Sequence, residues 1–225
     1  MMDLTIGAFW ALSIGVLCAV VDWVAVVRRH RHLEYVAKPA TLAAFVVAAF
    51  LMGGSGGLAG WFRWALIFSL AGDVFLMLPA ERWFLPGLAA FLVGHLLYIV
   101  GFNLDAPPWQ VVVPLLLAAL LDWVVLRRIV AGLQTTESTN LRLPVIVYGI
   151  VLSLTLVSGW ATWFRPTWTV AARIAASVGA TLFYTSDLML AWDRFVQRSR
   201  LLHVLVIVTY HLGQLGLVLV VGLHG

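Results

Sequence analysis

Apolar positions run along this chain in long blocks, and the charged ones are gathered into the short breaks between them. The blocks are about 20 residues long, the length a helix needs to cross a bilayer. They fall at roughly 5–27, 38–53, 61–78, 84–103, 108–126, 143–163, 168–191 and 202–222. The block at 38–53 is short, and the glycine-rich stretch "GGSGGLAG" from Gly53 to Gly60 follows it as a flexible loop. The pattern predicts an all-α polytopic membrane protein, one transmembrane domain over 1–225 with eight transmembrane helices.

Composition agrees. The chain has 225 residues, of which 63% are hydrophobic and 11% charged, with a mean hydropathy of +1.01. A soluble domain carries about 25% charged residues. The pI of 9.7 does not signal nucleic acid, because the basic residues sit in short loops between apolar runs. Cys18, the one cysteine, lies in the first apolar run, so no intrachain disulfide forms. The first run is kept as a helix: its leading charge is Asp3, and no small-x-small cleavage site follows a short apolar core.

The loops after spans one, three, five and seven hold Arg28, Arg29, Arg31, Lys38, Arg82, Arg127, Arg128, Arg142, Arg194, Arg198 and Arg200, eleven of the 14 basic residues. The other face has Arg63 and Arg165, with Arg173 a turn inside span seven, reaching outward. This asymmetry places the four loops in the cytoplasm and both termini outside, in a bacterial inner membrane.

Spans one to four echo spans five to eight. "VVDWVAVVRR" (Val20–Arg29) returns as "LLDWVVLRR" (Leu120–Arg128), and Lys38-Pro39 as Arg142-Leu143-Pro144. Gly72-Asp73-Val74-Phe75-Leu76 returns as Ser186-Asp187-Leu188-Met189-Leu190, with His95 and His211 following at similar distances. An even number of spans per half makes these parallel repeats, 1–105 and 106–225, in a four-plus-four arrangement.

A carboxylate facing lipid costs several kcal/mol, so Asp73 and Asp187 are expected to face the bundle interior. Each lies about five residues from the cytoplasmic end of its span, roughly 7 Å deep. Lys38 opens span two on the same side, and Tyr148 lies one to two turns into span six. His95, Tyr98, Tyr210, His211 and Gln214 fall near mid-membrane. Together they outline a pocket open to the cytoplasmic leaflet, with apolar helix beyond it that suits an alkyl chain. Plainer roles compete: buried structural carboxylates for Asp73 and Asp187, helix packing for His95, and packing or interfacial aromatics for Tyr98, Tyr148 and Tyr210. Asp22 and Asp122, each six residues before an arginine, read as salt-bridged or hydrated groups near the interface.

At these residues the chain resembles a known family. "SLAGDVFLML" (Ser69–Leu78), "GLAAFLVGHLLYIVGF" (Gly87–Phe102), "GATLFYTSDLMLAWDRF" (Gly179–Phe195), Lys38-Pro39 and Pro144 to Tyr148 are together similar to the YhhN/TMEM86 membrane proteins, over nearly the whole chain. The resemblance implies a lysoplasmalogenase, which hydrolyses the vinyl ether of lysoplasmalogens to a fatty aldehyde and glycerophosphoethanolamine or glycerophosphocholine. By that resemblance Asp73, His95, Tyr98, Tyr148 and Asp187 fall on motif positions, and Tyr210 and Gln214 match in "TYHLGQ". His211 departs from the pattern, standing where an aromatic is expected.

The residues suit that chemistry in their own right. Vinyl ether cleavage needs one carboxylic acid to protonate carbon and one carboxylate to stabilise the cation or activate water, a demand akin to glycoside hydrolysis. Asp73 and Asp187 supply the pair, and two carboxylates in one low-dielectric pocket split their titrations. Lys38, helped by Arg142, is expected to hold the lipid phosphate. No cofactor is called for, and the His and Asp spacing matches no standard zinc site. The partners expected are a lysophospholipid substrate and membrane lipids. A transporter of small molecules or lipids is the competing class, since parallel repeats and intramembrane carboxylates occur there too. A lipid-binding or sensory protein without turnover is a third.

The charge asymmetry carries a direct test. Alkaline phosphatase fused after residue 225 is expected to be active, and fused within 127–142 inactive; the reverse pattern overturns the orientation.

Overall fold

The structure, a computed structural model, describes residues 5–53, 57–135 and 141–224. Eight α-helices make up these residues: α1 (Ile6–Arg28), α2 (Arg31–Leu51), α3 (Gly57–Met77), α4 (Phe84–Phe102), α5 (Val112–Thr135), α6 (Arg142–Ala161), α7 (Val170–Phe195) and α8 (Arg200–His224). Each is long and apolar enough to cross a membrane, as the block pattern predicts. The protein is an all-α integral membrane protein.

Of the boundaries that differ from the sequence expectation, three have a plain local reason. Helix α2 starts at Arg31, seven residues early, and carries Pro39 inside it. A proline lacks the N–H for one intrahelical bond, yet the ladder closes again beyond it. Lys38, expected at the mouth of the span, therefore lies two turns inside a helix. Helix α3 starts at Gly57, where a left-handed φ of +59° turns the chain into the first turn. The loop expected at Gly53–Gly60 is shorter for that reason, and its residues 54–56 lie outside the described ones. Helix α5 runs on to Thr135 and takes Arg127 and Arg128 out of their expected loop. Its extension is held by Ile129 and Leu133, buried against Phe84, Val145 and Phe195. Residues 136–140 of that loop also lie outside the described residues.

Neighbouring helices pair as α1 with α2, α3 with α4 and α7 with α8, while α4 packs on α6 and α8 on α2. In lipid the solvent outside is as apolar as a leucine side chain, so helices associate through close packing, which small residues permit. The α7–α8 seam shows this most clearly. A Cβ on Gly213 would sit 2.7 Å from the backbone nitrogen of Phe183, and one on Gly216 2.7 Å from the Cα of Gly179. At the end of the bundle opposite the basic loops, two arginines close helix C-termini. Arg63 donates to the carbonyls of Ala49 (2.9 Å), Met52 and Gly53 (both 3.0 Å) beyond α2. Arg165 donates to the carbonyl of Phe102 and to Asn103 Oδ1 (2.9 Å) at the end of α4. Arg173 follows the outward course expected of it, with Nη2 on the Arg165 carbonyl at 2.8 Å.

The seam sets a prediction. Gly213→Ala should destabilise the protein by about 1–3 kcal/mol, because the new methyl meets backbone that cannot yield. Gly60→Ala, with nothing within 4 Å of the new methyl, should have little effect. Thermal unfolding in detergent compares the two, and equal melting temperatures would contradict the close-packed seam.

Candidate active site

Unbroken stretches of α3 and α7 carry the two carboxylates, Asp73 and Asp187, both buried. Each is served by two other helices. Lys38 Nζ of α2 stands 3.0 Å from Asp73 Oδ1, and the Tyr210 hydroxyl of α8 donates to Asp73 Oδ2 at 2.7 Å. The ammonium also lies 5.5 Å from the centroid of the Tyr210 ring, a cation–π distance. Around Asp187, the Tyr148 hydroxyl of α6 donates to Oδ2, and His95 Nε2 of α4 stands 3.2 Å from the same oxygen. His95 Nε2 is also 3.2 Å from the Tyr148 hydroxyl, and its Nδ1 is 3.1 Å from Thr155 Oγ1. Asp73 thus has a cationic partner. Asp187 has a phenol and an imidazole.

Both carboxylates line one cavity of about 310 Å³, which opens at the basic end of the bundle. Lys38, Tyr148 and Tyr210 line it with them, between apolar walls that include Leu88, Phe91 and Ile207. The other expected site residues stand behind this surface. His95 reaches the cavity through Tyr148 and Asp187. Tyr98 donates to Gln214 Oε1 at 2.8 Å, below the cavity among Phe62, Phe102 and Phe183. His211 faces α1: its Nδ1 accepts from Trp23 Nε1 at 3.1 Å, and its Nε2 lies 3.9 Å from Asp22.

Two expected interface residues are corrected. Asp22 is fully buried, and among the described residues neither of its oxygens has a hydrogen-bond partner; the basic group within 4 Å of it there is His211, not an arginine. Asp122 is bonded within the bundle, accepting from Ser153 at 2.5 Å and Tyr184 at 2.7 Å. Lys38, expected to hold a phosphate, has its ammonium on Asp73 in the cavity wall.

Sequence reasoning missed Phe183 and Thr155. Phe183 packs its ring 4.5 Å from that of His95 and 5.5 Å from that of Tyr210, joining the two carboxylate networks. Its place four residues before Asp187, one turn deeper on the same face, is the signal that marks it. Thr155 sits two turns from Tyr148 on α6, again on the same face.

The profile of the YhhN family matches residues 33–221. The chain belongs to the YhhN family. It is 35% identical over 176 residues to human Lysoplasmalogenase TMEM86B, a match that covers 77% of this chain and 70% of that protein. The mouse protein of the same name is 33% identical over 165 residues, 73% of this chain and 65% of its own length. The Uncharacterized membrane protein YhhN of Escherichia coli O157:H7 is 27% identical over 171 residues, 74% of this chain and 76% of that one. No solved structure matches significantly. The YhhN profile thus spans all nine expected site residues, those in the cavity wall and those behind it.

The buried ion pair gives a prediction. Lys38→Met leaves Asp73 without its counter-charge and should cost about 3–5 kcal/mol, whereas Lys38→Met with Asp73→Asn should recover most of that loss. Melting temperatures of the four proteins complete the cycle; additive losses would show that the two groups do not interact.

Proposed function

We propose that this protein hydrolyses the vinyl ether bond of lysoplasmalogens, releasing a fatty aldehyde and a glycerophospho-alcohol, with Asp187 as the proton donor and Asp73 as the stabilising carboxylate. One observation carries the reading: two carboxylates face one cavity with unlike partners, a lysine beside Asp73 and a phenol and an imidazole beside Asp187. The names of the TMEM86B relatives support the substrate class.

The proposed roles rest on one arrangement of hydrogens that satisfies these contacts. Thr155 Oγ1 has one proton, which it donates to the Val151 carbonyl at 3.1 Å, so it accepts from His95 Nδ1. In the neutral tautomer this selects, the Nε2 lone pair accepts. Tyr148 has one proton too, and in this arrangement it goes to Asp187 Oδ2. A carboxylic-acid proton on Asp187 fills the remaining site at Nε2. The substrate takes that proton when its β-carbon arrives beside Asp187.

Asp187 transfers its proton to the β-carbon of the vinyl ether, and the π electrons that form the new C–H bond leave an oxocarbenium ion at the α-carbon. The Asp73 carboxylate lies across the same cavity and lowers the energy of that cation electrostatically. Water adds to the α-carbon and returns a proton to Asp187, giving a hemiacetal. Protonation of the glycerol oxygen and loss of the hemiacetal hydroxyl proton then release aldehyde and alcohol. Water is the only co-reactant, and His95 and Tyr148 act as positioning residues that hold Asp187 toward the cavity.

Asp187→Asn removes the proton donor and should lower kcat about 10²–10⁴-fold. Asp73→Asn should also lower it, and the double variant should be little worse than either alone. In D₂O the aldehyde should carry one deuterium at carbon 2. In H₂¹⁸O the label should enter the aldehyde, trapped before exchange, and stay out of the glycerophospho product. Near-normal turnover by Asp187→Asn, or ¹⁸O in the glycerol oxygen, would overturn the mechanism.

A further inference from the structure

The open end of the cavity carries charges that neither carboxylate network uses. Arg31, Glu34, Arg194 and His203 line the same cavity as Asp73 and Asp187. Their spacing relates them to the reacting groups. Arg31 precedes Lys38 by seven residues on α2, and Arg194 follows Asp187 by seven on α7. Seven residues are two turns of one helix face, about 10 Å toward the mouth. Two arginines from facing helices therefore stand at similar heights above the two carboxylate networks.

The environment of Arg194 leaves it free to bind an anion. Its guanidinium carbon lies 3.8 Å from the centroid of the Phe84 ring, stacked on a face that covers one side of the plane. Its N–H groups project from the edge of that plane, the geometry in which a guanidinium grips a phosphate with two parallel hydrogen bonds. Its one acidic partner among the described residues, Glu81, is 3.8 Å away and 82% exposed, a contact worth little. Glu34 lies one turn from both Lys38 and Arg31 on α2. Its carboxylate is 24% exposed in the mouth, 3.9 Å from His203.

We infer that this mouth is a headgroup site, in which Arg31 and Arg194 hold the phosphodiester of a lysophospholipid and Glu34 takes the ammonium beyond it. The inference rests on the lysoplasmalogenase reading for the identity of the lipid, and its order matches the molecule. In a lysoplasmalogen, five bonds through glycerol separate the vinyl ether oxygen from phosphorus, and the headgroup amine lies further out. The protein presents carboxylates, then arginines, with an acidic group among them where the cavity meets solvent. The alkenyl chain is left to the apolar walls.

Three vinyl ethers separate the contributions: alkenyl-glycerophosphoethanolamine, alkenyl-glycerophosphate and alkenylglycerol. Relative kcat/KM is measured with the full chain in micelles. Arg31→Gln and Arg194→Gln should each reduce the preference for the phosphate over alkenylglycerol about tenfold or more, the range of hydrogen bonds to charged groups. Glu34→Gln should reduce the preference for the ethanolamine lipid over the plain phosphate severalfold. Arg31 stands exposed at a helix start, so its variant tests the site even where Arg194→Gln, which loses the stack on Phe84, does not fold. Preference ratios unchanged from the parent protein overturn the headgroup site. Should the parent cleave none of the three, the hydrolase reading fails separately. Binding of an uncleavable alkyl-ether lysophosphoethanolamine, followed by calorimetry, then decides the headgroup site: weaker binding by Arg31→Gln upholds it, and equal binding rejects it.

Discussion

An ammonium 3.0 Å from a carboxylate, inside a bundle whose outside is hydrocarbon, sets the conditions for the rest of the structure. Neither Lys38 nor Asp73 can turn outward without a cost of several kcal/mol. The attraction between them offsets their desolvation only when further hydrogen bonds satisfy the remaining lone pairs. Tyr210 supplies one of those bonds from α8, so α2, α3 and α8 are fixed together at one depth. The α7–α8 seam carries that constraint across. Gly213 and Gly216 let α8 lie against the backbone of α7, and Ser186 adds a hydrogen bond to the Val206 carbonyl at 3.0 Å. The residue after Ser186 is Asp187. Positioning one carboxylate thereby positions the other, through close-packed helix rather than through a loop.

The wiring of the two networks is what a four-plus-four repeat would produce. Asp73 of α3 bonds to α2 and α8, and Asp187 of α7 bonds to α6 and α4. Exchange of the halves maps one set of helices onto the other. The chemistry does not follow the exchange: Lys38 has Tyr148 as its counterpart, and Tyr210 has His95. We propose that a duplicated scaffold has diverged at these positions so that its two carboxylates take unlike roles. One sits beside a cation, the other beside groups that can share a proton.

Much of this was legible in the sequence, and most of what was not has one cause. Hydropathy finds spans and says that Asp73 and Asp187 must turn inward, because those conclusions depend only on the cost of charge in lipid. Which neighbour each side chain meets depends on rotation about the helix axis, and a helix apolar nearly all round does not reveal its rotation. Tyr210 and His211 show the consequence. Adjacent residues point about 100° apart on a helix, so Tyr210 reaches Asp73 while His211 turns to Trp23 on α1. The echo of His95 in His211 is therefore off by one residue in space. Asp22 failed for the same reason: its six-residue spacing from an arginine says nothing of the face it occupies. The start of α2 was hidden differently, since "RHLEYVAK" is too polar to extend an apolar block yet forms a sound helix that lines the cavity mouth.

The far side of the site bears on what the cavity is for. Beyond the carboxylates the polar groups become sparse and engage one another, with Tyr98 bonded to Gln214. The Phe62 ring meets those of Tyr98 and Phe102 edge-on, each at 4.9 Å, and Trp168 lies tilted against Phe102 at 6.1 Å. At that end Arg63 and Arg165 close the C-termini of α2 and α4, so the two strongest charges there serve the fold. A transporter needs a site that both sides of the membrane reach in turn, commonly through helices interrupted at the site. Here α3 and α7 run unbroken through Asp73 and Asp187, and aromatic rings pack beyond the carboxylates on the side away from the basic loops. A cavity that opens at the basic end, with both carboxylates in its wall, suits the proposed hydrolysis of a lipid better than transport.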